Sequence, residues 1–560
     1  MPFVLKLPMA RNKLQDFDEE TAFDFAAGID ELRDIIRLSD YSCHHAPDTS
    51  IKGGKTEWWA GREALDHRMH ELLINMENIW LGGFRGILSQ HRRQPDLLGR
   101  FRKSMENILD RHLPSRQGSK SKATKITLDS NVLELFIGLG DDKDGTIDMD
   151  EQVLDLLYFV VDVLQFGGER NAYDELDFDS MSIEALDAMR AYHEASTTIE
   201  TGDKHLILVL DKRLHSFPWE SLPCLQQQSV SRVGSMLHLR ERVLALRRQQ
   251  ATRASPPLMA DAYTISSESG TYILNPSGDL TGTQATLEPL LRSLASSEPT
   301  SWSSRARRTP SEVDFTTALS TKNMLLYFGH GSGNQYVRNR SVKKLDTCSP
   351  VVWLMGCSSG VVTEHGDFQA ESVPLSYLVA GHTPHPTTTN PFPTTDDDNN
   401  NNSSSGGGGG ASTDNNEENS KYHGRQGLCM SIIATLWDVT DKDIDRFSVR
   451  VGEEWGLWSS SSTSSTLSSS ATTTVNAGGI SDAPKTPGKR ARSVPKTPRK
   501  TPGRSRSRAA GDDRESREGQ GAQKKRSLVG AVVKGREACY LRYLNGAAAV
   551  VYGVPVYLGD

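Results

Sequence analysis

Two Gly-rich segments each follow a short apolar run and carry a residue type suited to nucleophilic catalysis. The run 324–328 continues into Gly-His-Gly-Ser-Gly, which contains His330, and the run 351–355 continues into Gly-Cys-Ser-Ser-Gly, which contains Cys357. If the two runs are neighbouring parallel strands, their carboxyl ends meet at one edge of the sheet. An imidazole beside a thiol can act as its general base, and glycines leave backbone N–H groups free to face an oxyanion. The pattern is therefore compatible with acyl transfer by a cysteine.

The same residues also allow a structural interpretation. A buried cysteine after an apolar strand usually packs as a small hydrophobic side chain, and a histidine in a Gly-rich loop is more often a turn residue. Two other chemistries fit less well. The phosphate loop of tyrosine phosphatases needs Arg six residues after Cys357, where Thr363 stands, and GHGSGNQY has neither the GxGxxG spacing nor a GK[ST] step. Residue types alone leave the catalytic pair and the structural interpretation both open.

A third apolar run, at 431–437, is followed by a cluster of carboxylates. Four aspartates lie within eight residues, at 438, 441, 443 and 445. Thr440 and Asp441 are typical of a helix N-terminus, where acidic residues in the first turn are favourable. Alternatively, one carboxylate faces the Cys/His edge and pairs with a substrate Arg or Lys, for which the guanidinium fork of Arg is the better match.

The elements that would position these residues change character near residue 200. Before it, the segments 21–38, 61–84 and 151–166 carry apolar residues at spacings of three and four, which predicts helices. After it, short apolar runs end in Gly, Asp or Pro, which is typical of buried parallel strands. These runs are 205–211, 324–330, 350–357, 431–438 and 547–558. We therefore predict a mainly helical region at 1–200 and an α/β domain at 201–560.

Two long segments lack the apolar side chains needed to offset the entropy of ordering, and we predict that both are disordered inserts. The first, 382–425, is rich in Thr, Pro, Asn and Gly, and the second, 459–525, is rich in Ser and Thr before a basic tract. From Lys485 to Arg508 the tract contains no acidic residue and repeats Lys-Thr-Pro at Thr486, Thr497 and Thr501. The tract could be a solvated linker, but its charge also suits nuclear import or weak DNA association, and its Thr-Pro steps suit proline-directed kinases. Because no aromatic residues are interleaved, we predict no sequence-specific nucleic-acid binding.

Composition argues against several other classes of protein. The 560 residues carry a net charge of −7, so the chain is neither a basic nucleic-acid coat nor an acidic solvating chain. No apolar window reaches the roughly 18–20 residues of a membrane span, and we expect no membrane partner and no signal peptide. The six cysteines form no CxxC or CxxH pair, which favours reduced thiols and no metal site. The segment 142–151 resembles a calcium loop, but its first ligand position is Gly140, which favours a solvated acidic loop.

Seven segments in order along the chain resemble the separase (separin) family, which consists of caspase-like cysteine proteases. The segments are WLGGFRGILS (80–89), LQFGGERNAYDELDFD (164–179), LILVLDKRLHSFPWESLPCL (206–225), LLYFGHGSGNQY (325–336), VVWLMGCSSG (351–360), ATLWDVTDKDIDRF (434–447) and YLNGAAAVVYGVPVYL (543–558). The combination of GHGSG, MGCSSG and LWDVTDKDID is highly specific. The resemblance covers nearly everything outside the two inserts, and it corresponds to the protease half of the family without the helical-repeat arm that normally precedes it.

This resemblance implies a fold and a set of site residues. The fold would be an α/β, caspase-like, parallel-rich sheet flanked by helices, after a mainly helical substrate-docking, pseudo-protease region. His330 would be the general base and acid, Cys357 the nucleophile, and the backbone N–H groups of Gly331 and Cys357 the oxyanion hole. Substrate Arg would be bound by one or more of Asp438, Asp441 and Asp445, with Asp445 favoured and Trp437 as a candidate wall of the pocket. No metal and no organic cofactor would be needed.

The resemblance also implies a function and partners. The family cleaves the cohesin kleisin subunit after Arg to release sister chromatids at anaphase, and securin inhibits it as a pseudosubstrate. We therefore expect a nuclear and cytoplasmic endopeptidase of this type. Two alternatives remain: an inactive protease-like binding module that sequesters securin or kleisin, and a chromatin tether that acts through the basic tract.

Overall fold

A computed structural model describes most of the chain. The described residues are 4–9, 23–45, 54–91, 93–117, 125–140, 149–196, 205–252, 262–296, 301–368, 370–381, 427–459 and 526–559. The insert predicted at 382–425 lies outside these residues, and so does the insert predicted at 459–525 except for its first residue. Most of the acidic loop at 142–151 also lies outside them.

The first part of the chain is helical, as its apolar spacing predicts. The helices are α1 (Phe25–His44), α2 (Gly54–Asn75), α3 (Pro95–His112), α4 (Pro114–Gln117), α5 (Ser130–Gly138), α6 (Asp150–Phe166) and α7 (Phe178–Ala195). Helix α2 continues into a π-helical turn at Met76–Leu81 and a 3-10 segment at Gly82–Leu88. Helices α1, α2 and α6 fall on the three segments whose periodicity predicts them.

These helices pack in two groups. Helices α3, α5, α6 and α7 enclose a core of their own, which includes Phe101, Phe136 and Leu157. Helices α1 and α2 instead contribute Leu32 and Met69 to the core that also contains the sheet. The first two helices therefore pack with the α/β part, although they precede residue 200 in the sequence. The domain boundary at residue 200 stays a prediction.

The second part of the chain forms a large, mostly parallel sheet. In the described residues eight strands follow the order β1-β2-β11-β10-β7-β6-β4-β5. These strands are β1 (His205–Val209), β2 (Ser229–Val233), β4 (Gly270–Leu274), β5 (Ser303–Ala306), β6 (Met324–Phe328), β7 (Val351–Met355), β10 (Ser431–Thr435) and β11 (Ala549–Gly553). The flanking helices are α8 (Met236–Thr252), α9 (Thr281–Ser296), α10 (Glu312–Thr321), α11 (Asn339–Lys343), α12 (Val373–Val379), α13 (Asp441–Trp455) and α14 (Leu528–Ala538). The predicted α/β class is confirmed.

One predicted strand differs in direction and extent. The run 547–558 breaks at Gly553, whose φ is +117°, into β11 and a separate strand β12 (Val556–Gly559). Strand β11 pairs antiparallel with β10, and β12 pairs parallel with β3 (Tyr263–Ser266) in a small second sheet. A fully buried strand is apolar on both faces, so its composition does not show its direction.

The central strands are buried on both faces. Along β7, Val352 and Leu354 face one core, whereas Val351, Trp353 and Met355 face the other. This alternation is the period of two expected for a strand between two layers of helices. It explains why the run contains no polar residue until the strand ends at the Gly-rich segment that holds Cys357.

The described residues on either side of the first insert, Gly381 and Gly427, lie side by side. A Cβ atom added to Gly381 would lie 2.1 Å from the carbonyl oxygen of Gly427, and the Gly381 N–H donates a hydrogen bond of 2.8 Å to Leu345. The short strands β8 (Val362–Thr363) and β9 (Glu371–Ser372) form a hairpin between Cys357 and this point. Across the described residues, no helix combines the length and the apolar character of a membrane span.

Candidate active site

The sheet brings the two chemistry-bearing loops together. Strands β6 and β7 are parallel neighbours with Phe328 opposite Met355, so His330 and Cys357 each lie two residues beyond the same register position. The loops touch closely, because a Cβ atom at Gly356 would lie 2.1 Å from the carbonyl oxygen of Gly331. The expected meeting of the two strand ends is therefore present, and it needs glycine at position 356.

Neither reactive side chain is bonded to the other in this structure. His330 is exposed, and its Nε2 lies 2.8 Å from Oδ2 of Asp279. Cys357 is half-buried, and its Sγ donates a hydrogen bond of 3.2 Å to the carbonyl oxygen of Val439. Since a carboxylate only accepts, Nε2 of His330 carries the proton in this contact. In the neutral ring Nδ1 is then the basic nitrogen.

Asp279 is a functional candidate that the sequence analysis does not include. It lies in the loop after β4, next to β6 in the sheet, and this loop is held by Asn275, which is buried and has φ +49°. The Asn275 N–H donates to Phe328 at 2.8 Å, and its Oδ1 accepts from the N–H of Leu280 at 3.0 Å. The sequence does contain a signal for Asp279. The apolar run 272–274 is followed by Asn-Pro-Ser-Gly-Asp, and the other buried strands are likewise followed by Gly and polar residues.

The thiol is in a resting, protonated form. Burial, with a smaller effect from the carboxylates of Asp438 and Asp441, raises the pKa of Cys357 to about 11 even though the hydrogen bond with Val439 lowers it. At neutral pH a thiolate would therefore form only when a base takes the proton. Rotation of Sγ away from Val439 and towards the imidazole would be needed for that transfer.

Two backbone donors lie beside the reactive residues. Gly331 adopts φ +62°, a left-handed conformation that suits glycine. In the described part of the chain, no protein group accepts a hydrogen bond from the N–H of Gly331 or of Cys357. Both donors are therefore available for a ligand oxygen.

The aspartate-rich segment forms a helix N-terminus, as one of its two interpretations predicts. Thr440 is the N-cap of α13, and Asp441 and Asp443 lie in the first turn. Asp443 is buried and accepts from the backbone N–H groups of Tyr540 at 2.7 Å and Leu541 at 3.1 Å. These contacts give Asp443 a structural role.

Two of the predicted pocket residues contact other parts of the chain: Trp437 faces the interior, and Asp438 contacts the Gly-rich loop that holds Cys357. Trp437 is 2% exposed, and its indole N–H donates to Leu544 at 2.7 Å. Asp438 accepts a hydrogen bond of 2.5 Å from the hydroxyl of Ser358. Ser358 has φ +55°, a conformation that costs a residue other than glycine about 1–3 kcal/mol. Contact of Trp437 with a substrate stays a prediction.

The other two predicted carboxylates lie in the first two turns of α13, and Asp441 is near enough to His330 to interact with it electrostatically. Partial desolvation raises the pKa of Asp441, the positive charge of His330 lowers it, and Asp279 raises it. Asp445, one turn further along α13, is 7% exposed, and burial raises its pKa to about 7 despite a hydrogen bond with Thr283. Its Oδ1 is buried and has no hydrogen-bond partner in the described residues. A buried carboxyl group with a raised pKa and an unsatisfied oxygen can accept a hydrogen bond from water, an ion or a ligand.

The described residues contain no cluster of three His, Cys, Asp or Glu side chains that could hold a metal ion. All six cysteines are free. A thiol, an imidazole, carboxylates and backbone N–H donors lie just beyond the carboxyl ends of strands β4, β6, β7 and β10. Such a set can carry out acyl transfer and can bind a cationic side chain.

Comparisons with known proteins agree on one family. The family model described as "Separin, protease domain" matches residues 1–444. The separin of Emericella nidulans is 42% identical over 558 residues, which cover 99% of this chain and 21% of that protein. The separin of Schizosaccharomyces pombe is 33% identical over 558 residues, which cover 100% of this chain and 23% of that protein.

A solved structure shows the same architecture. The crystal structure of the Saccharomyces cerevisiae separase–securin complex at 3.0 Å resolution superposes with a TM-score of 0.69 at 26% sequence identity. The match covers 96% of this chain and 27% of the solved chain. The present chain thus spans between a fifth and a quarter of the length of the two curated relatives.

Proposed function

Because this chain belongs to the separin protease-domain family, we propose that it is a cysteine endopeptidase that cleaves after arginine. The observation that carries the proposal is the placement of His330 and Cys357 beyond matched ends of two adjacent parallel strands. This placement, together with free backbone donors beside both residues, favours catalysis over a purely structural role for the pair.

The proposed reaction is acyl transfer in two steps. His330 takes the thiol proton on Nδ1, and Sγ of Cys357 attacks the scissile carbonyl carbon. The N–H groups of Gly331 and Cys357 would stabilise the oxyanion of the tetrahedral intermediate. The imidazolium then gives its proton to the leaving amine, which leaves a thioester, and water activated by His330 hydrolyses it.

Asp279 would assist the imidazole during this cycle. Its carboxylate accepts from Nε2, which leaves Nδ1 free to exchange protons with Cys357. The same carboxylate would stabilise the positive charge that the ring carries between the two proton transfers. The hydrogen bond from His330 lowers the pKa of Asp279, so the group is ionised at neutral pH.

We propose that Asp445 supplies the main contact for the substrate arginine. A guanidinium would satisfy the buried oxygen that has no partner and would favour the charged carboxylate. Asp441 would add negative charge at the mouth of the same cleft. The substrate would be the cohesin kleisin subunit, cut after Arg in an acidic context, and the outcome would be release of sister chromatids at anaphase.

A securin-type protein is the proposed inhibitor. The solved relative is a separase–securin complex, and an extended inhibitor segment could lie across the cleft as a pseudosubstrate. We propose that the protein acts in the nucleus and the cytoplasm. The basic tract would add weak chromatin association without sequence-specific binding.

A second candidate function is that of an inactive binding module. The observation in its favour is that the Cys357 thiol is bonded to Val439 and not to His330. In this case the chain would hold kleisin or securin without cutting it.

An alkylating affinity probe, from which Sγ displaces a carboxylate to form a thioether, separates the two candidates. The full chain is incubated with an acyloxymethyl ketone whose peptide ends in Arg, and the modified residue is located by peptide mass mapping. Exclusive labelling of Cys357, lost in His330→Ala, supports the endopeptidase. Binding of the probe peptide with no labelling of Cys357 supports the binding module.

A further inference from the structure

The end of strand β10 contacts the nucleophile loop, defined as residues 356–360, along most of its length. The N–H of Gly360 donates to the carbonyl oxygen of Thr435 at 2.7 Å, and the N–H of Ser358 donates to that of Trp437 at 3.2 Å. The hydroxyl of Thr435 in turn donates to the carbonyl oxygen of Gly356 at 2.8 Å. The backbone around Cys357 is therefore shaped by residues 435–438.

One side-chain contact completes this arrangement next to the nucleophile. Ser358 directly follows Cys357 and has φ +55°, which residues other than glycine adopt only when the surroundings hold them there. Its hydroxyl donates to Oδ1 of Asp438 at 2.5 Å. A left-handed residue in this place turns the chain sharply just after Cys357.

We propose that Asp438 is a positioning residue, whose carboxylate holds Ser358 in its left-handed conformation and so sets the direction of the Cys357 side chain. This assignment rests on the proposed function for its effect on catalysis, but the geometric claim stands on the contacts alone. It gives Asp438 a task different from binding the substrate arginine.

The other aspartates of the segment support this division of labour. Asp438 already has a hydrogen-bond donor, whereas the buried Oδ1 of Asp445 has none in the described residues. A guanidinium that bound Asp438 would compete with Ser358 and release the turn beside the nucleophile. A guanidinium that bound Asp445 would leave that turn in place.

Asparagine and alanine at position 438 separate the hydrogen bond from the charge. Both substitutions remove the negative charge, but only the Asn carbonyl can still accept from Ser358. Glycine at position 358 takes φ > 0 without help, so it removes the need for the contact. The informative variants are the three single changes D438N, D438A and S358G. Two double variants, S358G with D438N and S358G with D438A, complete the set.

The first readout is peptide hydrolysis by the full chain. We expect D438A to lower kcat about 10- to 100-fold with KM within about threefold, because small misplacements of a reacting group have effects of that size. D438N should keep most of kcat, and D438A should cause no further loss in the S358G background. A tenfold or greater rise in KM that is equal for D438N and D438A would overturn the proposal, because it would show that the carboxylate binds the arginine.

The second readout does not depend on hydrolysis. The rate at which iodoacetamide alkylates Cys357 is followed by peptide mass mapping. D438N and D438A should differ several-fold in the native background and should agree in the S358G background. Equal rates in both backgrounds would overturn the proposal. If the wild-type chain hydrolyses nothing, the proposed function fails while this comparison still decides the role of Asp438.

A matched control uses another serine–carboxylate contact. The hydroxyl of Ser341 donates to Oε1 of Glu312 on the surface, and neither residue contacts the nucleophile loop in the contacts described above. S341A and E312A should leave kcat, KM and alkylation of Cys357 within about twofold of the wild type. Thermal unfolding confirms that each variant folds, and D438G, which also lacks a side-chain acceptor, replaces D438A if D438A does not fold.

Discussion

Asp279 and His330 form a hydrogen bond of 2.8 Å that joins the loops after two neighbouring strands, β4 and β6. The contact uses Nε2 of the imidazole and therefore leaves Nδ1 for chemistry. The side chains are 59% and 53% exposed, so the pair adds little to folding stability and its main effect would be on the orientation of the ring.

We predict that Asp279→Asn lowers kcat about 100-fold with little change in KM for an Arg peptide. An amide can donate to Nε2 and so favour the wrong tautomer of the neutral ring. Steady-state kinetics between pH 6 and 9 would test this, with Asp346→Asn, an exposed aspartate outside the site, as the control. An unchanged kcat across that range would show that Asp279 does not orient His330.

We predict that Cys357→Ser and His330→Ala each abolish cleavage and leave folding intact. Each substitution removes either the nucleophile or its base, and removal of such a group lowers kcat on the order of 1,000-fold or more. Peptide turnover and thermal unfolding of both variants provide the check. Retained turnover in either variant would refute the catalytic assignment.

We predict that Asp445→Asn stabilises the protein more at pH 8 than at pH 5. Burial raises the pKa of Asp445 to about 7 in the folded chain, against about 3.9 in an unfolded chain. The folded state therefore binds this proton more tightly than the unfolded state. The stabilising contribution of Asp445 to the free energy of unfolding is complete below about pH 4 and is lost as the pH rises through about 7. Asn does not ionise, and the gap in Tm between variant and wild type should widen over that interval. A difference in Tm that does not change with pH would show that the pKa of Asp445 is not raised in the folded chain.

We also predict that Asp445 dominates arginine recognition. Of the single changes of Asp438, Asp441 and Asp445 to Ala, only the change at position 445 should raise KM strongly, because among these three carboxyl groups only Asp445 is buried with an unsatisfied oxygen. The control substrate is the same peptide with an uncharged residue in place of Arg, for which the difference in KM between the three variants should disappear while the effect of D438A on kcat remains. Three equal and small rises in KM would argue against a single pairing carboxylate.

We predict that replacing residues 382–426 by a short Gly-Ser linker changes Tm by no more than a few degrees. Gly381 and Gly427 already lie in contact, so a short link can close the gap, and loop length has only a weak effect on closure entropy. Thermal unfolding and peptide turnover of the shortened chain would test this. A large drop in Tm with loss of turnover would mean that the insert contributes to the fold.

The sequence was sufficient to predict that the strands before His330 and Cys357 are buried and parallel, and the structure shows that they are neighbours. The sequence did not predict that β11 runs antiparallel to β10, because the composition of a strand buried on both faces does not depend on its direction. It also left Asp279 unassigned, because β4 and its Asn-Pro-Ser-Gly-Asp turn were not recognised as another strand end.

The aspartates show a different limit of sequence reasoning. Residue types alone could not rank Asp438, Asp441 and Asp445, because their roles depend on contacts made far away in the chain. Ser358 lies 80 positions before Asp438, and Thr283 lies still further from Asp445. Trp437, expected as a candidate pocket wall, donates its indole N–H to the carbonyl oxygen of Leu544, which lies 107 positions further along the chain.

The central claim is that this chain cleaves after arginine by means of Cys357. The most direct test follows hydrolysis of a fluorogenic peptide with an acidic residue upstream of Arg, beside the same peptide with Arg replaced by Glu. Both peptides are offered to the wild-type chain and to Cys357→Ser. We predict turnover only for the Arg peptide and only with the intact cysteine. Binding of the Arg peptide without any turnover by the wild-type chain would contradict the account and favour the binding module.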